Sequence, residues 1–227
     1  MLTKWKNLPD NFKTDIVKEY YDVLKTKQIQ LIFKRVFDIL FSLLLVVVLL
    51  PFLLIISILV IVDSGFPVLY LQERVTKNGK KFKIFKFRTM INNADKIGSL
   101  VTTHNDNRIT KIGKLLRKSR LDELPQIFNI LFGSMSFVGT RPEVQKYVDA
   151  YSDEMIATLL LPAGVTSAAS IEYKDEAELL EDSENVDETY INTVLLQKME
   201  YNLEYIKNFS LLTDIKTLIR TAVAIIK

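Results

Sequence analysis

The pattern of apolar and polar positions divides the chain before any other property does. From Ile39 to Val62 no charged residue occurs, a run of twenty-four positions bounded by Asp38 and Asp63. As a helix this run would extend about 36 Å, enough to cross a hydrocarbon core of about 30 Å. Pro51 stands at its midpoint. Proline removes a backbone donor and clashes with the preceding turn, so the pattern predicts a helix broken at Pro51. Lys25, Lys27, Lys34 and Arg35 precede the run and a basic block from Arg74 follows it. Basic flanks belong on the cytoplasmic side. A hairpin entering and leaving by one face is therefore expected ahead of a single span.

Two further stretches are amphipathic. Phe12, Ile16, Tyr20 and Leu24 recur every four residues and predict one long helix that runs into the apolar stretch. Near the C-terminus, Leu211, Leu212, Ile215, Leu218, Ile219, Ala222, Val223 and Ile226 form an apolar stripe, with Lys216, Arg220 and Lys227 opposite. That pattern suits a helix lying on a membrane surface, and equally one packed on a core.

Between these ends, Val68 to Leu71 and Phe82 to Arg88 read as two short strands joined by a turn at Lys77-Asn78-Gly79. Lys86 and Arg88 would share one face, with Phe85 and Phe87 on the other. Leu115 to Arg120 reads as helical. A new helix is expected near Asp122, because Pro125 is tolerated only in a first turn and Leu124, Ile127, Phe128 and Leu131 follow. Gly133 marks its end.

Charge sharpens the picture. Arg74 to Arg120 holds fourteen basic residues against Asp95 and Asp106, whereas Glu143 to Glu204 holds fifteen acids against three lysines. A formal net charge of +3 thus hides a basic half and an acidic half. The basic block suits lipid head groups, a phosphate-bearing ligand or nucleic acid, or else a solvated face balanced by the acidic half. With no cysteine and a single histidine, His104, disulfides, thiolate chemistry and Cys- or His-cluster metal sites are excluded. No Walker or dinucleotide fingerprint occurs, and no nucleic-acid-binding motif accompanies the basic block.

Asp122 and Glu123 have two readings. Asp122 can be an N-cap, with Glu123 a first-turn acid favoured by the helix dipole. Alternatively the pair faces a phosphorylated ligand among Arg117, Arg120 and Arg141, since helix N-termini and arginines attract phosphate oxygens. A carboxylate beside such an anion needs a bridging divalent cation, or else attacks the phosphorus itself. Mg²⁺ held by one carboxylate, phosphates and water is the economical arrangement.

Leu121-Asp-Glu-Leu-Pro-Gln126, Asn129-Ile-Leu-Phe-Gly133 and Met135-Ser-Phe-Val-Gly-Thr-Arg-Pro142 together resemble the bacterial sugar transferases, the monotopic phosphoglycosyl transferases. Lys34-Arg-Val-Phe-Asp38, Gln72-Glu-Arg74, Lys86-Phe-Arg-Thr-Met90 and Asp106-Asn-Arg-Ile-Thr110 add to the ordered set. The resemblance implies an enzyme on the cytoplasmic face of the bacterial inner membrane, anchored in membrane lipid by a re-entrant helix. It would transfer a sugar 1-phosphate from a UDP-sugar to undecaprenyl phosphate, with Mg²⁺, giving undecaprenyl-diphosphate-sugar and UMP and starting surface glycan assembly.

By the same resemblance Asp122 is the nucleophile and metal ligand, forming a phosphosugar-aspartyl intermediate, with Glu123 as assisting acid or base. Lys86, Arg88, Arg117 and Arg141 are the matching phosphate ligands, and Arg141 with Pro142 shapes the nucleotide side. The alternative is a non-enzymatic membrane adaptor that binds anionic lipid or a partner protein. Nucleic acid is not an expected partner, and a homodimer is left open.

The expected architecture is α/β and mostly helical: a small membrane-associated catalytic domain with a re-entrant helix–break–helix and interfacial amphipathic helices. Its parts are an N-terminal amphipathic extension over residues 1–31, the membrane helix over 32–63 and the catalytic domain over 64–227. The chain departs from the family pattern at Thr76, where a glycine is usual, at Ser134, where an acid is, at Thr140 for proline, and at Leu50 for serine before Pro51.

Overall fold

The computed structural model describes residues 2–94, 106–173 and 185–226. His104 and most of the acidic stretch after Glu172 lie outside them. The first long helix, α1 (Asp15–Thr26), begins where the Thr14 hydroxyl accepts a hydrogen bond from the Val17 N–H. It ends at Lys27, whose φ of −101° and ψ of 17° leave the helical region, and α2 (Gln28–Ser64) begins beyond it. The expected single helix is therefore two. Helix α1 buries Val17, Tyr20, Tyr21 and Leu24 in a core that also takes Leu8, Phe12, Leu160, Ile206 and Phe209. Helix α2 exposes apolar side chains around most of its circumference, so a straight continuation could not satisfy both. The buried stripe is also rotated from the expected one, because Ile16 faces outward.

Helix α2 runs without interruption through Pro51. This corrects the expected break. The loss of one N–H donor is local, and full turns of hydrogen-bonded helix on either side carry the element across it. If straight, its thirty-seven residues would span about 55 Å.

Both ends of α2 nevertheless dock on the same domain. At the N-terminal end Arg35 donates to the Ile130 and Leu131 carbonyls at 2.6 and 2.9 Å, and Asp38 accepts from the Phe137 N–H at 3.2 Å. At the C-terminal end Leu53, Ile56 and Val60 pack with Phe87 and Leu116, and Asp63 accepts from the Ile112 N–H at 3.2 Å. Between them Val47 and Phe52 are 67% and 59% exposed.

The expected hairpin forms as β1 (Leu69–Thr76) and β2 (Lys80–Phe87), antiparallel, with Leu69 opposite Phe87 and Thr76 opposite Lys80. Asn78 takes the left-handed turn position at φ 59°, a conformation asparagine tolerates. Helix α3 (Lys111–Lys118) follows, then α4 (Gln126–Phe132), β3 (Met135–Val138), α5 (Gln145–Val148), β4 (Ala163–Thr166) and α6 (Ala168–Glu172). Strands β3 and β4 pair in parallel, Met135 opposite Ala163. They approach so closely to the chain leaving β3 that a Cβ on Gly164 would lie 2.1 Å from the Gly139 nitrogen.

Helices α7 (Val186–Thr189) and α8 (Leu195–Lys207), joined through a π-helical turn, precede the last helix, α9 (Leu211–Ile226). Helix α9 is turned inside out. Its polar Asp214 and Thr217 are buried, whereas Leu212 and Ile219 are 70% and 60% exposed. Of the two placements its sequence allows, packing of the apolar stripe on a core is thereby excluded.

Candidate active site

The site is assembled by three consecutive turns of chain. Helix α3 is capped by Thr110, whose hydroxyl accepts from the Gly113 N–H at 3.0 Å. It lies flush on the end of β2, since a Cβ on Gly113 would stand 2.1 Å from the Thr89 carbonyl oxygen. That seating brings Arg117 Nε to 2.9 Å from the Thr89 hydroxyl. Arg120 then adopts a left-handed conformation, φ 54°, and redirects the chain into the single 3-10 turn Leu121–Glu123. A non-glycine residue in that region is strained by about 1 kcal/mol or more. Helix α4 follows and closes at Gly133, φ 88°.

Asp122 does not cap α4. The position before α4 is Pro125, which offers no side-chain cap, and the Asp122 side chain is buried within the 3-10 turn. The N-cap reading is thereby excluded. Helical dihedrals at Leu124 and Pro125 make the chain continuous from Leu121 into α4, so Asp122 and Glu123 both lie in the first turn of that stretch, where the helix dipole favours acids.

Asp122 and Glu123 have opposite surroundings. Glu123 Oε1 receives Lys86 Nζ at 2.8 Å and Arg141 Nη2 at 2.7 Å. Burial alone would raise the Glu123 carboxyl, but Arg141 and Lys86 outweigh it and hold the group well below 4.5. Among the described residues Asp122 takes no ion pair within 4.0 Å. Burial and the neighbouring Glu123 charge raise its pKa, against the opposing pull of Lys86 and Arg117. One carboxylate is locked as an anion, and its neighbour is left more basic and unpaired.

Two cavities meet at Asp122. The first, about 700 Å³, is lined by Phe66, Tyr70, Gln72, Arg74, Arg88, Arg108 and Met90. The second, about 760 Å³, is lined by Leu45 and Leu49 of α2, Arg120, Glu123, Gln126, Arg141, Thr166, Ser170 and Thr221. Lys86, Arg117 and Asp122 line both. The carboxylate and two cations therefore form the wall shared by the two spaces.

The other residues expected at the site divide. Lys86, Arg117 and Arg141 gather there, although Lys86 and Arg141 each give a bond to Glu123. Arg88 lines the first cavity but is engaged by the end of α2: its Nη2 donates to the Ser64 carbonyl at 2.6 Å and to the Gly65 carbonyl. It therefore acts as a cap on the helix C-terminus, where a cation complements the dipole. Pro142 is buried and absent from both cavity linings; its carbonyl accepts from Arg74 Nη1 at 3.3 Å. In this position Pro142 anchors β1 through its backbone carbonyl.

Several lining residues escaped the sequence reading. Gln126 closes the Leu121–Gln126 motif, and its spacing of four from Asp122 on a helical stretch puts both on one face. Thr166, Ser170 and Thr221 meet only through the pairing of β3 with β4 and the seating of α9, and no local signal marks them.

No cluster of three or more His, Cys, Asp or Glu occurs among the described residues. The donor set is one unpaired carboxylate in a cationic wall. That fits a hard divalent ion whose remaining ligands are phosphate oxygens and water.

One carboxylate without an ion pair among the described residues thus lies between two cavities lined by cations. The bacterial sugar transferase family model matches residues 29–227, and the chain belongs to that family. It is 36% identical over 192 residues to a UDP-N-acetylgalactosamine-undecaprenyl-phosphate N-acetylgalactosaminephosphotransferase of Aeromonas hydrophila, covering 83% of this chain and 42% of that protein. It is 37% identical over 199 residues to a UDP-glucose:undecaprenyl-phosphate glucose-1-phosphate transferase of Klebsiella pneumoniae, covering 85% of this chain and 40% of the relative. A putative undecaprenyl-phosphate N-acetylgalactosaminyl 1-phosphate transferase of Bacillus subtilis is 43% identical over 122 residues, 54% of this chain and 68% of its own length. The chain thus spans about two fifths of the first two relatives.

Proposed function

We propose that the protein transfers a sugar 1-phosphate from a UDP-sugar to undecaprenyl phosphate, releasing UMP and leaving the sugar on a lipid diphosphate. The observation that carries this reading is that Asp122 lines both cavities at once. A nucleophile with one face toward each space can be loaded from one substrate and unloaded to the other. UMP and the lipid then never need to occupy a single pocket, while the sugar phosphate stays at Asp122 between them.

In the first half-reaction an Asp122 carboxylate oxygen attacks the β-phosphorus of the UDP-sugar. The phosphorus–oxygen bond to UMP breaks, and UMP takes the electron pair. In the second, an oxygen of the lipid phosphate attacks the same phosphorus and the acyl-phosphate bond to Asp122 breaks, restoring the carboxylate. Lys86 and Arg117 face both spaces and stabilise the charge on the transferring group in each half-reaction. Glu123, doubly paired and held as an anion, positions Lys86 and Arg141 in place of moving a proton. Asp122 would hold Mg²⁺, which supplies further charge neutralisation at the diphosphate.

Membrane seating follows the same reading. Helix α2 is long and apolar enough to cross a membrane, yet both its ends bind the one domain, which supports re-entry and exit by a single face. The outward apolar stripe of α9 supports an interfacial position beside it. Leu45 and Leu49 of α2 reach the second cavity, which suits entry of the lipid phosphate from the bilayer. Orientation toward the cytoplasm rests on the basic flanks of α2.

The test is UMP release by the purified protein in nanodiscs with Mg²⁺, undecaprenyl phosphate and a panel of UDP-sugars. Release that needs the lipid for repeated turnover, and is lost in Asp122→Asn, is the expected result. Turnover that survives in Asp122→Asn would remove the proposed nucleophile.

A further inference from the structure

Helix α4 carries two buried carboxamides with different fates. Asn129 is satisfied at both ends: its Oδ1 accepts from the Phe85 N–H at 2.9 Å, and its Nδ2 donates to the Lys83 carbonyl at 2.9 Å. It ties α4 to β2. Gln126 is 1% exposed, and neither its Nε2 nor its Oε1 has a hydrogen-bond partner among the described residues. A buried amide left unpaired at both ends is unfavourable, and such groups in folded proteins call for a reason. Gln126 does not face a dry core. It lines the second cavity together with Asp122, Glu123 and Arg141.

We infer that Gln126 is a substrate-contacting residue that reads the C1–C2 edge of the transferred sugar. The inference rests on the transfer reaction proposed above. An amide offers one donor group and one acceptor. A phosphate ester dianion can only accept, so it would satisfy Nε2 and leave Oε1 unpaired. A hexose 1-phosphate offers both functions side by side: phosphoryl oxygens at C1, and a donor at C2, whether a hydroxyl or the N–H of an acylamino group. Nε2 donates to a phosphoryl oxygen and Oε1 accepts from the C2 substituent.

The neighbouring hydroxyls, unlike Gln126, already have partners within the fold. Those of Thr166 and Thr221 bond each other at 2.7 Å, and that of Ser170 is held by Ser167 at 3.0 Å. The clamp therefore fixes the sugar against the phosphorus under attack and accepts any hexose that keeps a donor at C2.

The experiment compares the wild type with Gln126→Met and Gln126→Leu. The substrate pair is whichever UDP-hexose the wild type transfers and the UDP-hexose with hydrogen at C2. A site built to bond a substrate donor rejects the analogue that lacks it. The wild type is expected to favour the C2-substituted sugar by about tenfold or more in kcat/KM, and the variants to lose that preference to within about twofold. Because the variants remove an unpaired buried amide, their melting temperature is expected to equal or exceed that of the wild type.

Discrimination retained in both variants would overturn the assignment, and so would a wild type indifferent to the C2 substituent. A lower melting temperature with activity falling only in step with the folded fraction would make Gln126 structural, and would overturn it too. Absence of UMP release by the wild type with every UDP-sugar would instead overturn the transfer reading on which the assignment depends.

Discussion

Lys34 and Asp214, 180 residues apart in the chain, form a buried ion pair of 2.6 Å between the start of α2 and α9. Lys34 Nζ also donates to the Val138 carbonyl at 2.9 Å, and Tyr205 donates to the other Asp214 oxygen at 2.8 Å. This pair explains how α9 sits with its polar face inward. A carboxylate that meets a lysine and a phenol inside the domain fixes the rotation of the helix and turns the apolar stripe out.

Asp214→Leu leaves Lys34 charged and buried without its partner. Removing one member of a buried pair costs about 3–5 kcal/mol. Urea unfolding in detergent is expected to register a loss of that size. The double variant Lys34→Met with Asp214→Leu should recover part of it, because the orphan ammonium is gone while buried Asp38 loses the Lys34 charge that favours its ionised form. A double variant as unstable as the single one would show that the pair is not what fixes α9.

The outward stripe of α9 predicts contact with lipid. In a Trp5→Phe background, which removes the single native tryptophan, Ile219→Trp should give blue-shifted emission quenched by brominated lipid in nanodiscs. Emission at the wavelength of a water-exposed indole, without quenching, would place the helix away from the bilayer.

The raised pKa of Asp122 sets an acid limit on turnover. The carboxylate must be ionised to attack, so kcat/KM should fall as pH drops through a value above 3.8. Arg117 is one of the two cations that pull this value down. Arg117→Gln should therefore move the acid limb to higher pH, besides slowing the reaction. A limb that stays where it is would mean that another group controls it. Since folding disfavours the charged form here, Asp122→Asn should melt no lower than the wild type at pH 7.

Glu123 has the opposite sign. Its folded pKa is depressed below 4.5, so it stabilises the fold above the unfolded value, and that contribution is lost as pH falls through the folded one. Glu123→Gln should cost about 3 kcal/mol at pH 7, as for a buried pair that loses one partner. The difference from wild type should shrink toward pH 3. Equal differences at both pH values would show that the cost is packing and not charge.

Thr76, one of the departures from the family pattern, has a structural reason in this chain. Its hydroxyl donates to the Ser134 carbonyl at 2.7 Å and accepts from the Ala163 N–H at 3.0 Å. It thereby ties β1 to the ends of β3 and β4. Thr76→Val keeps the shape and leaves two backbone groups unpaired, at a cost of about 1–3 kcal/mol. Thermal unfolding checks this, and an unchanged midpoint would mean that water replaces the hydroxyl.

The sequence alone determined what depends on neighbours along the chain. The hairpin from Leu69 to Phe87, the turn at Asn78 and the stop at Gly133 were all legible, because alternation, turn residues and glycine act over a few positions. So was the gathering of Asp122 with basic residues, since the motif carries them at fixed spacing. The tertiary structure decided what depends on partners far away. Local pattern continued α1 into α2 and ended α2 at Pro51. Instead the domain core claims one face of α1 and forces the break at Lys27, while helical turns on both sides carry α2 through the proline.

The same limit governs the site. Adjacent carboxylates look alike in sequence, and only the approach of Lys86 from β2 and Arg141 from beyond β3 makes Glu123 the paired anion and leaves Asp122 unpaired. Arg88 reads as a phosphate ligand, and only the fold shows that its Nη2 also caps the end of α2 while the side chain lines the first cavity. Gln126 reads as an incidental polar residue until the fold buries it with no hydrogen-bond partner among the described residues. Electrostatics and hydrogen-bond satisfaction act through space, so the residue types were written in the chain and their roles were assigned by the fold.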